Sequence, residues 1–166
     1  YTTICQLHGP LLAALQTAGC WLNEGRVKKI LLGVVDEKTA LLETNTLRLL
    51  ERKGVASDLI PLGEGACFFL LGPADEVKDA QYGALEFETL SAQELQQTEL
   101  PEHNFCAARS LRIMTELGIT ATAVQQTDMV CAAGPALVAA AKQPSDSCCI
   151  EQAGKNFGLI SVKEMG

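Results

Sequence analysis

Basic charge, aromatic rings and long apolar runs are all scarce in this chain, and each scarcity closes off a class of function. Thirteen Lys and Arg stand against twenty Asp and Glu, for a net charge of −7. No Lys/Arg stripe is interleaved with the few aromatic residues, so nucleic acid is not an expected partner: phosphate binding needs a basic face. An apolar run such as Ala66–Leu71 is far shorter than the ~20 residues that cross a bilayer, so membrane insertion is not expected either. No basic region leads into an apolar stretch in the manner of a signal peptide, and a soluble cytoplasmic protein is the expectation. No pair of cysteines has Cys-x-x-Cys spacing, so neither a metal nor another cofactor is expected.

What the chain has is apolar content without repetition. Its 166 residues are 48% hydrophobic, enough for a sizeable core in one domain spanning 1–166. No internal repeat, low-complexity tract or linker is evident. The seven cysteines are odd in number and irregularly spaced. Cys20, Cys67, Cys106 and Cys131 lie among apolar or small residues and read as buried, reduced thiols. Cys148 and Cys149 open a strand, where neighbours point to opposite faces.

Helical and strand signals alternate. Leu11, Leu12, Leu15, Ala18, Trp21 and Leu22 recur at helical spacing after His8-Gly9-Pro10, and Gly25 supplies the stop. Lys28 to Glu37 reads as a buried strand, apolar until it ends in two carboxylates as a parallel strand does at its carboxyl end. Thr39 to Lys53 carries leucines at helical positions, and Tyr82 to Phe87 alternates as a strand. Ser91 and Glu94 form a capping-box pattern. Phe105 to Leu117 reads as an amphipathic helix stopped by Gly118, with His103 in a loop or cap ahead of it. Ile119 to Val124 and Asp128 to Cys131 are β-rich. Gly134-Pro135 opens an alanine-rich helix through Lys142. Ser147–Gln152 and Asn156–Lys163 make a hairpin turning at Gly154. The fold class is α/β.

The sharpest motif is Gly63-Glu64-Gly65-Ala66 running straight into Cys67–Leu71. Two glycines supply backbone freedom at a tight approach, and the uninterrupted apolar run fits a strand covered on both faces. On local grounds Glu64 caps backbone amides. The motif resembles the Gly-Glu-Gly-Ala strand opening of β-ketoacyl synthases. The helix ending in Gly25-Arg26 and the strand closing in Asp36-Glu37 resemble that family in the same order, and the terminal Asn156 strand pair does so more loosely.

The resemblance implies a thiolase-like layered α-β-α-β-α architecture, with a strand–helix–strand region of its first half lying upstream of Tyr1. It implies a ketosynthase subunit as dimer partner and an acyl carrier protein as the second. Arg26, Lys28 and Lys29, with Arg48, Arg52 and Lys53, are either solvated helix ends or a docking face for that acidic carrier.

Condensation in the family uses a cysteine at a helix N-terminus and two donors, commonly histidines. Counting back from Gly25-Arg26, the nucleophile position falls on His8; Cys5 lies three residues earlier. Only His8 and His103 are histidines, and the segments matching the family's donors read Asp128–Cys131 and Lys155–Leu159, with Asn156 the residual donor. The resemblance therefore implies a non-catalytic, chain-length-factor-like subunit in which Leu11, Leu12 and Leu15 set the depth of an acyl pocket. The alternatives are an active β-ketoacyl synthase or acyltransferase using Cys5, and a non-enzymatic binding domain on the same fold.

Overall fold

The computed structural model describes residues 2–4, 9–53, 62–74, 76, 80–124, 133–143 and 145–163. The first helix, α1 (Pro10–Asn23), follows Gly9 and ends near Gly25, both in the left-handed region that glycine tolerates. Its apolar stripe Leu11, Leu15 and Ala18 is buried. β1 (Ile30–Asp36) and β2 (Gly65–Leu71) pair antiparallel in a two-stranded sheet, joined through α2 (Ala40–Lys53).

The second sheet has five strands in the order β3 (Ala84–Leu90), β7 (Asn156–Lys163), β6 (Ser147–Ala153), β4 (His103–Cys106), β5 (Thr122–Ala123). β3–β7 and β7–β6 are antiparallel, whereas β4 runs parallel to both β6 and β5. α3 (Ala92–Gln97), a 3₁₀ turn at Ala108–Ser110, α4 (Leu111–Glu116) and α5 (Ala133–Ala141) complete the order.

Two apolar clusters define the layers. One joins Leu11 and Leu15 of α1, Leu32 and Val34 of β1, Ala136 and Leu137 of α5, Cys149 of β6 and Ile160 of β7. The other lies beneath the five-stranded sheet, where Leu95 of α3 and Met114 of α4 meet Cys148, Ile150, Phe157 and Leu159. The stack is thus small sheet, α1 with α5, large sheet, α3 with α4. Strand alternation feeds both clusters: Cys148 faces one and Cys149 the other, as their adjacency requires.

Several expectations are corrected. β1 was expected to leave a parallel sheet buried; it is antiparallel to β2, and every second residue of both strands is exposed. Their apolar runs carry no information about which face is covered. The helix expected over 105–117 is split, because His103–Cys106 pairs with β6 and only Leu111–Glu116 forms α-helix; tertiary pairing overrides the amphipathic spacing. His103 accordingly stands in β4, not in a loop. The β signal over 119–124 contracts to Thr122–Ala123. Cys20 is exposed on the outer side of α1, its thiol donating to Glu24 Oε1 at 3.4 Å. The Asp128–Cys131 segment lies outside the described residues.

Candidate functional site at the N-terminus of α1

Gly9, Pro10, Leu11 and Leu12 form the first turn of α1, where the first backbone N–H groups of a helix have no partner within it. Gly9 has φ 69°, and a Cβ there would stand 2.7 Å from the Cβ of Ala153. Pro10 removes one orphan donor, as proline does at this position. The two that follow are taken by a single side chain. Leu11 N–H donates to Glu151 Oε1 at 3.1 Å, and Leu12 N–H donates to Glu151 Oε2 at 2.7 Å.

Glu151 comes from β6, near the β6–β7 turn, and is only 5% exposed. Its register partner on β7 is Gly158. A Cβ at Gly158 would meet Leu12 Cδ2 at 2.9 Å and Leu12 Cβ at 3.2 Å. The missing side chain therefore lets the helix end settle on the sheet within reach of the carboxyl. Burial pushes the Glu151 carboxyl above its ordinary range, and the bonds from Leu12 and Leu11 oppose that push without cancelling it. The helix terminus favours an acceptor, and the protein itself supplies one.

Cys5 and His8 lie outside the described residues. Leu11 and Leu15 pack into the cluster between the sheets, and Leu12 is buried against Gly158. Glu64 accepts from the backbone N–H of Lys38 at 3.4 Å, tying the start of β2 to the chain leaving β1. Gly63 and Gly65 are not among the glycines of positive φ, so their value is not left-handed freedom. Asn156 begins β7 opposite Ala153, in the hairpin.

For Cys106, Cys148 and Cys149, burial sets the chemistry. Cys106 is pushed up to about 11 and Cys148 to about 12, and Cys149 lies well above the ordinary thiol range. None of these three is a thiolate at neutral pH. Among the described residues no group of three or more His, Cys, Asp or Glu side chains could hold a metal ion, and no helix is long and apolar enough to cross a membrane. A shallow groove of about 360 Å³ runs between the start of β2 and α5, with Cys67 and Pro135 in its lining and Lys142 at one side. Sequence reasoning missed Glu151: a lone acid in a terminal strand carries no local signal, and its role arises from a helix 139 residues away.

No protein-family model and no curated protein matches the sequence. Solved structures do match in fold. A variant of Xanthomonas campestris OleA bound with cerulenin superposes at TM-score 0.63 and 13% identity over 93% of this chain. The cerulenin-bound OleA co-crystal gives the same TM-score and identity. The peroxisomal 3-ketoacyl-CoA thiolase of Saccharomyces cerevisiae, a five-layered α-β-α-β-α structure built from two core domains of identical topology, matches at TM-score 0.55 and 13% identity over 92% of this chain. The chain spans 60% and 61% of the two OleA chains and 71% of the thiolase. This α/β chain has the thiolase-like layered fold.

Proposed function

We propose that the chain is a non-catalytic, ketosynthase-like subunit that pairs with an active ketosynthase and shapes its acyl tunnel. The observation that carries this reading is Glu151. A condensing site at a helix N-terminus would use that terminus to stabilise a thiolate or a developing oxyanion. Here a buried carboxyl already accepts from Leu11 and Leu12. In either protonation state its oxygens fill the acceptor positions at those two amides, and an ionised Glu151 would also oppose a thiolate nearby.

The thiolase-like fold supports membership in a condensing-enzyme system, and the family motifs give it the acyl carrier protein as second partner. Lys28 and Lys29 are exposed beyond α1, where an acidic carrier could dock. Leu11, Leu12 and Leu15 would act on the tunnel from behind, by fixing how closely α1 seats on β7.

Cerulenin, which OleA binds, provides the test. The native assembly is treated with it and each subunit is weighed intact. Only the larger ketosynthase partner is expected to gain mass. A gain mapped to Cys5 establishes the active-enzyme alternative instead. Recovery of this chain from its source as a stable monomer with no ketosynthase favours the binding-domain alternative.

A further inference from the structure

Among the described residues α2 contributes nothing to either apolar cluster. Four of its leucines face solvent instead: Leu41 is 71% exposed, Leu49 56%, Leu42 44% and Leu47 39%. A surface helix of a globular fold ordinarily turns such residues toward the core. Leucines gathered in solvent on one element mark a contact surface.

Helical spacing decides the character of that surface. Leu41, Asn45, Arg48, Leu49 and Arg52 recur at i, i+4, i+7, i+8 and i+11, so they share one face, and all five are exposed. Leu42, also exposed, stands seven residues before Leu49 and widens the stripe. Glu43 is on the opposite side, half-buried and paired with Lys38 at 3.0 Å, and Glu51 lies off the stripe. The stripe therefore carries two cations and no carboxylate, in a chain whose net charge is −7. Among the described residues neither Arg48 nor Arg52 takes part in an ion pair.

A convex stripe of leucine interleaved with arginine fits a partner that is apolar at depth and anionic at its surface. An anionic bilayer offers both. Its acyl boundary receives leucine, while arginine lays its alkyl stem along the same boundary and returns its guanidinium to the lipid phosphates, where the planar fork can bond two oxygens. We propose that α2 is an interfacial helix that lies flat on an anionic lipid surface through Leu41, Leu42, Leu49, Arg48 and Arg52. Its 14 residues span about 21 Å along that surface. No helix among the described residues is long and apolar enough to cross a membrane, so the contact is peripheral: apolar burial and local positive charge act together, as in other interfacial helices. This inference does not rest on the acyl chemistry proposed above.

Vesicle co-sedimentation tests it. The protein is expected to sediment with mixed phosphatidylcholine–phosphatidylserine vesicles and to stay in solution with phosphatidylcholine alone, and its binding is expected to weaken as salt is raised. Arg48→Glu with Arg52→Glu, and separately Leu41→Gln with Leu49→Gln, are each expected to weaken binding about tenfold. Arg48→Lys with Arg52→Lys is expected to keep it, which separates loss of charge from loss of fold. All three pairs are expected to retain the parent's thermal midpoint, since α2 lies outside both clusters. Lys28→Glu with Lys29→Glu is expected to change nothing. Failure to sediment with either vesicle overturns the proposal. Equal binding to both vesicles, undiminished in the α2 variants, assigns adhesion to the exposed Leu31 and Phe68 of the small sheet and overturns it. Loss of binding only on reversal of Lys28 and Lys29 overturns it as well. A protein that ignores vesicles but is held by polyglutamate through Arg48 and Arg52 has an acidic protein as its partner there, and the lipid assignment falls.

Discussion

Glu151 is a buried acid with two backbone amides as partners, and two opposing effects decide its behaviour. Burial raises its pKa above the ordinary 4.5, while the bonds from Leu12 and Leu11 pull it down by less. In the interval above 4.5 the folded protein retains a proton that the unfolded chain has released. The stability contributed by this group is therefore full below the ordinary carboxylate range and is lost as pH rises through the folded value. Glu151→Gln removes that titration, so the thermal midpoint of the parent minus that of the variant is expected to fall as pH is raised from 4 to 7 (a range chosen to bracket carboxylate titration). A difference that grows with pH would place the folded pKa below the unfolded one. Glu151→Ala leaves both amides orphaned and is expected to cost about 2 kcal/mol in urea unfolding at neutral pH. These residue-scale roles were not legible in the sequence, whereas the alternation of Cys148 and Cys149 was, because it depends only on the pleat.

At the scale of elements, α1 comes close to β7 at Gly158. A methyl group there would stand 3.2 Å from Leu12 Cβ, which is fixed to the helix backbone and cannot swing aside as Leu12 Cδ2 can. Gly158→Ala is expected to lift the helix end from Glu151 and destabilise the fold by about 1–3 kcal/mol, as overpacking does. Full stability in this variant would mean that the helix end does not seat as the geometry requires. Elements with local chemistry were readable from sequence. Ser91 Oγ accepts from Glu94 N–H at 3.2 Å while Ser91 N–H donates to Glu94 Oε2 at 2.8 Å, the capping box its pattern announced. The β6–β7 hairpin turns at Gly154 as expected. β4 was not readable, since His103–Cys106 is a strand only because β5 and β6 lie beside it.

At the scale of the whole molecule, the layered α/β class was legible because apolar strands and helices alternate along the chain. The strand order of the large sheet was not, because it depends on which strands meet across the fold. The same topology sets an uneven distribution of stability. β6 and β7 have strands on both sides and apolar clusters on both faces. Among the described residues β1 and β2 have one strand neighbour each and one covered face, and α2 exposes Leu41, Leu42, Leu47 and Leu49. Opening free energy follows buried contact and paired backbone. Amide exchange of the 166-residue chain is therefore expected to be slowest in β6 and β7, faster in β1 and β2, and fastest in α2. Equal protection of all four strands would mean that the small sheet opens only with global unfolding, so that α1 and α5 beneath it hold it as firmly as two further strands and a helical layer would.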